Sequence, residues 1–205
     1  MNYAKLAFTD SIRQLQTENG SRKSYERVEQ FGSYDGLTAN ETRFIELRDS
    51  FYVASVGEND FPYIQHRGGP QGFLKVVDDK TLGFLDFAGN RQFITLGNVK
   101  HSDKVALILM DYPNRARMKL YARAEVVELG ERPELESWLW TDGYKAKPER
   151  IILYHVEAFD WNCPQHITPR YTEQDIKEAL EDQTHYIKTL EDEVKQLREL
   201  VEGAR

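Results

Sequence analysis

Apolar and polar residues alternate in short stretches between positions 50 and 160 of the chain. This period of two is typical of β-strands with one buried face, and it predicts strands at 51–56, 61–67, 73–77, 81–87, 104–111, 117–129 and 150–159. Tight turns join the first four, so we expect two successive hairpins. Because helices do not alternate regularly with these strands, the pattern favours an antiparallel β-barrel with added helices, mainly β within the α+β class.

Helices are expected before the strands and between them. Apolar residues at helical spacing predict one helix over 3–17, which Asn19 and Gly20 would end. Thr38 followed by Glu41 is a capping-box pattern and predicts a short second helix. A helical turn is expected within 90–98 and a further helix over 133–139.

The last part of the chain has a helical pattern of its own. Its seam residues are separated alternately by four and three positions: Ile176, Leu180, Gln183, Ile187, Leu190, Val194, Leu197 and Val201. This heptad spacing predicts a long amphipathic helix that either lies on its own barrel or pairs with a second copy of the chain. The expected organisation is a helical segment at 1–48, a barrel domain at 49–170 and a heptad helix at 171–205.

Composition is that of a packed globular protein. Of the 205 residues, 40% are hydrophobic, which is enough to build a core and excludes a wholly disordered chain. The longest apolar runs, such as 105–110, fall far short of the roughly 20 residues that span a bilayer, and residues 1–10 lack a signal-peptide core. We therefore expect a cytoplasmic protein with no membrane partner.

The net charge of −7 is unevenly distributed. Residues 172–205 contain ten acidic and five basic side chains, whereas residues 61–128 contain ten basic and seven acidic ones. An acidic chain without a stripe of Lys and Arg lacks the phosphate neutralisation that nucleic-acid binding requires, so no nucleic-acid partner is expected. The local positive excess among the strands favours a small anion instead.

Metal and thiol chemistry have little support in the sequence. Cys163 is the only cysteine, which excludes an internal disulfide and favours a small apolar filler over a redox-active thiol. The five histidines do not share a metal-ligand spacing, so no metal site is predicted.

A basic, glycine-rich segment at 66–75 is the first candidate for chemistry. It is neither a phosphate-binding P-loop nor a dinucleotide fingerprint, because it lacks the Gly-Lys-Ser/Thr ending and no helix opens after its glycines. Gly68, Gly69 and Gly72 would let backbone N–H groups approach a ligand, and Arg67 and Lys75 add positive charge. The alternative is an ordinary glycine-rich turn.

A second cluster follows the fourth predicted strand. Asn90, Arg91 and Thr95 supply side-chain donors where a helix is expected to open, and helix N-termini favour anions. Because the hairpin at 73–87 lies between the two clusters, they can meet at one end of the barrel wall. The sequence therefore predicts that both clusters converge on one phosphate.

These motifs, in this order, resemble the pyridoxamine 5'-phosphate oxidase-like family of FMN-binding split barrels. The resemblance rests on the run from His66 to Phe73, on Gly89-Asn90-Arg91 and on the run from Trp161 to Ile167, and it covers roughly residues 40–170. It implies an antiparallel split β-barrel that binds FMN and forms a homodimer with the FMN sites at the interface.

The resemblance also implies roles for individual residues. The cofactor-binding residues would be His66, Arg67, Gln71, Gly72, Phe73, Lys75, Asn90, Arg91, Thr95, Trp161, Gln165 and His166. The phosphate side would comprise Arg67, Lys75, Arg91 and Thr95, with Asn90 near the ribityl chain. His66, Gln71 and Phe73 would line the flavin ring, and Trp161, Gln165 and His166 would reach the partner's flavin.

By the same resemblance the chain is expected to be an FMN-dependent oxidoreductase acting between a small-molecule electron donor and acceptor. The arginine- and histidine-bearing C-terminal signature that binds substrate phosphate in the oxidase itself is missing, so substrate and catalytic residues stay unassigned. Three alternatives remain open: a non-catalytic flavin or haem carrier or sensor, a reductase using the deazaflavin F420, and a purely structural dimer without cofactor.

Overall fold

The computed structural model describes residues 1–161 and 163–203. The helices are α1 Tyr3–Ala7, α2 Asp10–Glu18, α3 Arg22–Phe31, α4 Ala39–Glu46, α5 Ile94–His101, α6 Pro133–Leu139 and α7 Glu173–Gly203. The strands are β1 Ser50–Val56, β2 Pro62–Gly68, β3 Lys75–Asp78, β4 Thr81–Phe87, β5 Lys104–Asp111, β6 Ala116–Glu128 and β7 Pro148–Trp161. The chain forms two compact units, of which the first comprises Met1–Asp111 and Arg115–Gln165 and the second comprises Tyr112–Asn114 and the residues from His166 onward.

The seven strands of the first unit form one antiparallel sheet in the order β2-β1-β5-β6-β7-β4-β3. Both predicted hairpins are present, with Tyr52 opposite His66 in β1–β2 and Val76 opposite Leu82 in β3–β4. Since β2 and β3 are consecutive in sequence but lie at opposite ends of this order, the connection at 69–74 leads from one sheet edge to the other. The architecture is the expected split barrel with added helices, and the predicted fold class is confirmed.

Aromatic rings fill the part of the core beneath this connection. Phe51, Phe73, Phe84 and Tyr154 form a cluster with neighbouring ring centroids between 5.6 and 6.0 Å apart. All four side chains are at most 2% exposed. Rings at such distances add attraction beyond the burial of their apolar area, so the cluster ties the 69–74 connection to β1, β4 and β7.

The glycines of the connection have a structural role. A Cβ on Gly69 would lie 2.6 Å from Cγ of Phe73, and Gly72 has a φ of +79°. The Gly69 N–H donates to the Asp49 carbonyl at 2.9 Å, and the Gly72 N–H donates to the Arg48 carbonyl at 3.2 Å. These two N–H groups are therefore committed to the backbone, contrary to the expectation that they would approach a ligand.

The N-terminal helices differ from the prediction of one helix over 3–17. The backbone is extended at Phe8 and Thr9, so α1 ends and α2 begins there. The following helix α3 was not predicted, because its sequence is mostly polar. Its Glu29 is buried and forms ion pairs with Arg13 and Arg22, so charge pairing contributes to its position where an apolar pattern is weak.

The predicted capping box at the start of α4 is confirmed. The Thr38 N–H donates to Glu41 Oε2 at 3.0 Å, and the Asn40 N–H donates to the Thr38 hydroxyl at 3.3 Å. The indole of Trp161 also donates to Glu41, at 2.9 Å. Burial acts to raise the pKa of Glu41, but these donors outweigh it and the pKa lies below its ordinary value.

The second unit contains the predicted heptad helix as α7, a single helix of 31 residues. Thr172 and Asp175 cap its start, because the Thr172 N–H donates to the Asp175 carboxylate at 2.7 Å and the Asp175 N–H donates back to the Thr172 hydroxyl at 3.1 Å. The end of the predicted segment, residues 204 and 205, lies outside the described residues. In the part of the chain that the structure describes, we find no helix with the length and apolar character needed to cross a membrane.

Candidate functional site

A polar cavity of about 240 Å³ opens in the first unit beside β2, β4 and the start of α5. Its lining residues come from four segments: Tyr63, Gln65 and Arg67 from β2, Asp86 and Phe87 from β4, Gly89 to Leu96 from the following loop and helix, and Glu149 and Arg150 from β7. Arg67 and Arg91 both line it, so the two predicted clusters meet at one place. Asn90 and Thr95 also belong to the wall.

Strand alternation decides which β2 residues reach the cavity. Tyr63, Gln65 and Arg67 lie on the cavity side of the strand, whereas His66 lies on the opposite face with its ring 5.3 Å from that of Tyr52. A period of two requires this separation. His66 and Arg67 were expected in one cofactor site, but within a single subunit the strand directs them to different surfaces.

The floor of the cavity contains a buried carboxylate between two arginines. Asp86 accepts hydrogen bonds of 2.6 Å from Arg67 Nη1 at one oxygen and from Arg150 Nη1 at the other. The three side chains are only 5–15% exposed. Burial acts to lower the pKa of Arg150, but the bonds from this guanidinium to Asp86 and Glu149 outweigh that effect and raise the pKa.

One hydrogen-bond donor of Arg67 is unused. Its Nε atom is buried and has no hydrogen-bond partner among the described residues. A buried, unsatisfied donor of a charged group is costly.

The loop before α5 brings Arg91 to the rim by an unusual backbone path. Arg91 and Phe93 have positive φ values of 60° and 55°, a region that side-chain-bearing residues seldom occupy. Helix α5 consequently begins at Ile94, later than the turn predicted over 90–98. Its first residues line the cavity, and the first N–H groups of a helix have no partner inside the helix and favour anions.

Side-chain contacts connect α5 and the loop before it to the strands of the cavity wall. The Thr95 hydroxyl donates to Gln65 at 2.5 Å, which connects α5 to β2. The Arg150 guanidinium lies 5.8 Å from the Phe93 ring centroid. Taken together the lining contains three arginines and two carboxylates, so the cavity has an excess of positive charge and several donors, as a phosphate site requires.

Three further predicted residues, Lys75, Phe73 and Gln71, lie elsewhere in the first unit. The Lys75 ammonium donates to the carbonyls of Trp138 and Trp140 at 2.7 and 2.9 Å, so it is engaged with α6 and not with the cavity. Phe73 is part of the aromatic core. Gln71 is exposed in the 69–74 connection, next to Gly72.

The motif at 161–167 is also separate from the cavity. Trp161 packs edge-on against Phe44, with centroids 4.6 Å apart, and lines a second hollow of about 420 Å³ beside α4. Gln165 is exposed at the end of the first unit, and His166, with a φ of 63°, begins the second segment of the other unit. Asn162 of this motif lies outside the described residues.

Sequence reasoning missed Asp86 and Arg150 as residues of the site. Arg150 reaches the cavity because β7 pairs with β4. In this pairing Arg150 lies opposite Asp86, although the two residues are 64 positions apart in the sequence. No local pattern signals such a pairing. Gln65 and Tyr63, in contrast, follow from the alternation of β2 once Arg67 is taken as facing inward.

Comparisons with known proteins agree with this architecture. Residues 37–159, more than half of the chain, match the family model described as pyridoxamine 5'-phosphate oxidase. The structure of HupZ from Group A Streptococcus is similar with a TM-score of 0.50 at 19% identity, covering 66% of this chain and 99% of that chain. A variant of the same protein gives a TM-score of 0.50 at 19% identity, with 62% and 99% covered.

A further similar structure is an FMN-binding protein from Syntrophomonas wolfei subsp. wolfei. Its TM-score is 0.47 at 13% identity, with 72% of this chain and 97% of that chain covered. No curated protein matches the chain.

The buried carboxylate gives a test of how the site is held together. Asp86→Ala would leave Arg67 and Arg150 buried without their shared partner, and breaking a buried pair in this way costs about 3–5 kcal/mol of the free energy of unfolding. Denaturant titration followed by tryptophan fluorescence measures the change. The matched control is Asp160→Ala, whose half-exposed ion pair with Lys119 at 3.6 Å should contribute about 0–1 kcal/mol. Equal losses in the two variants would contradict the role assigned to Asp86.

Proposed function

This chain belongs to the pyridoxamine 5'-phosphate oxidase family, and we propose that it binds FMN non-covalently with the phosphate end of the cofactor in the basic cavity. The observation that carries the proposal is the convergence of Arg67, Arg91 and Arg150 on one hollow. Arginine suits phosphate because its planar donors bind two oxygens at once. Thr95 and the first turn of α5 would orient the same group.

The size of the cavity limits what it can hold. At about 240 Å³ it is smaller than the ~300–1,000 Å³ of sites that enclose a whole cofactor-sized ligand. It therefore suits the phosphate and the adjoining part of the ribityl chain. The flavin ring would lie outside, where it needs further cover.

We propose that a second copy of the chain supplies that cover in a homodimer. The outward face of the β1–β2 hairpin is mostly apolar and largely exposed, and we call its residues Tyr52, Ala54, Val56, Ile64 and His66 the hairpin patch. Ile64 is 64% exposed. Contiguous exposed apolar surface of this kind is typical of interfaces, and it would place His66 at the contact between subunits.

Arg91 gives the most direct variant for cofactor binding. Loss of a charge-assisted contact costs about 1.5–3 kcal/mol, so Arg91→Ala should weaken FMN binding by roughly tenfold to a hundredfold. Quenching of FMN fluorescence on titration measures the dissociation constant. Arg115→Ala is the matched control, because Arg115 also has a positive φ but lies at an exposed turn outside the cavity lining. Equal effects of both variants, or no quenching by the unaltered protein at micromolar concentration, would contradict the proposal.

The hairpin patch generates a prediction about assembly. Ile64→Glu would place a charge in the apolar contact and should shift the protein towards monomer, measured by sedimentation velocity over a range of concentrations. Glu58→Lys, in the β1–β2 turn, changes the charge of the same hairpin outside the patch and should leave the sedimentation coefficient unchanged. A dimer that persists in Ile64→Glu would show that the subunits associate through another surface.

We further propose that the protein is an oxidoreductase. Bound FMN would supply a ring that accepts hydride, while the chain's own residues bind the phosphate, position the cofactor and shield one side of it. The electron donor would be a small molecule such as a reduced nicotinamide. Family membership supports this reading, and the donor-rich cavity supports cofactor retention.

Turnover and simple carriage of flavin predict different reduction rates. In an anaerobic stopped-flow experiment, NADH or NADPH should bleach the absorbance of bound FMN near its visible maximum faster than that of free FMN. Arg115→Ala should behave as the unaltered protein does. Reduction no faster than free FMN with either nicotinamide would contradict nicotinamide-dependent turnover and favour the carrier or sensor.

A further inference from the structure

Helix α7 has an apolar seam that is exposed along its whole length. None of the helix residues is buried, and Ile187 and Leu197 are 55% and 61% exposed. At about 1.5 Å per residue the helix is roughly 46 Å long. Helices in proteins owe most of their stability to packing of the apolar face, so a seam of this length requires a partner surface.

The residue types along the seam select the form of that partner. Heptad position a is occupied by Leu180, Ile187, Val194 and Val201, and position d by Ile176, Gln183, Leu190 and Leu197. Three of the four a residues are β-branched, and the two d residues in the C-terminal half are leucines. β-Branched residues at a with leucine at d favour two parallel strands. The chemistry of the seam thus matches a second copy of the same helix.

Charges beside the seam distinguish the two orientations. In a parallel pair, position g of one helix faces position e of the next heptad in the other, so Glu193 lies beside the partner's Arg198. The contact occurs twice by symmetry. An antiparallel pair with the same overlap would instead bring Lys177 beside the partner's Arg198, which is a repulsion of like charges.

Gln183 fixes the alignment as well as the orientation. It is the one polar residue of the seam, and a polar side chain in a coiled-coil seam specifies register at some cost in stability. Only a parallel pair in register brings the two Gln183 amides into the same layer, where each can bond the other. Any shift by a heptad would place an amide against Leu190 or Ile176.

We propose that residues 173–203 form a parallel, in-register, two-stranded coiled coil with the same segment of a second copy of this chain. The seam chemistry, the Glu193 to Arg198 contact and the Gln183 layer all lead to the same arrangement. The inference goes beyond the proposed function, because it depends on neither FMN nor the hairpin patch.

Disulfide trapping in the full-length protein tests the arrangement. Leu197→Cys is made in a Cys163→Ser background, since Cys163 is exposed and would otherwise react. A parallel in-register pair brings the two positions 197 into one layer, within the ~4.4–6.8 Å between Cα atoms that a disulfide needs. Mild oxidation should therefore convert most of the protein to a covalent dimer on a non-reducing gel.

Two further samples serve as controls for the contact and for the orientation of the helices. Glu199→Cys in the same background lies on the outer face of the helix and should give little covalent dimer. A mixture of the Leu180→Cys and Leu197→Cys proteins, distinguishable by mass, should give no mixed disulfide, because those positions share a layer only in an antiparallel pair.

Disulfides between positions 180 and 197, without the product that joins two positions 197, would overturn the parallel orientation. Equal yields from Leu197→Cys and Glu199→Cys, or no covalent dimer from any variant, would overturn pairing of the helix with a second copy. The FMN affinity of each variant is measured in parallel, so that a failure of this inference and a failure of cofactor binding are separate outcomes.

Discussion

One buried carboxylate links the strands that form the cavity. Asp86 on β4 binds Arg67 on β2 and Arg150 on β7, and β2 is at the opposite end of the sheet order from β3 and β4. The Arg67 to Asp86 pair therefore crosses the split of the barrel, where no backbone ladder joins the strands. Arg150 also pairs with Glu149, so these two arginines and two carboxylates balance in charge, and the positive excess of the cavity lining comes from Arg91. The Arg67 to Asp86 contact thus joins the sheet edges beside the cavity.

In the proposed function, two kinds of surface would share the binding of a flavin nucleotide. The cavity contains the charged donors and would take the phosphate, whereas the hairpin patch is mostly apolar and largely exposed. A ring that is flat and largely apolar needs the second kind of surface. If a second subunit covers the flavin ring as proposed, cofactor binding and subunit association would be coupled. The proposed coiled coil is a separate contact between copies of the chain.

Much of the fold could be predicted from local patterns, whereas the full site could not. The alternation of β1 to β7 and the capping box at Thr38 are local signals, and both were interpreted correctly. Arg91 was placed because a helix was expected to open just after the fourth strand, where side-chain donors favour an anion. Arg150 was missed because it enters the site through pairing of β4 with β7, which is remote in sequence. The glycines at 69 and 72 were assigned to ligand binding, but close packing against Phe73 and a positive φ account for them.

The central claim is that the basic cavity binds the phosphate of FMN, and riboflavin is the sharpest probe because it lacks only that group. The measurement is the ratio of riboflavin to FMN dissociation constants, obtained by fluorescence titration for the unaltered protein and for Arg91→Ala. The account predicts a large preference for FMN that shrinks in Arg91→Ala, with riboflavin affinity nearly unchanged. A preference that is absent from the unaltered protein, or that survives undiminished in Arg91→Ala, would contradict it.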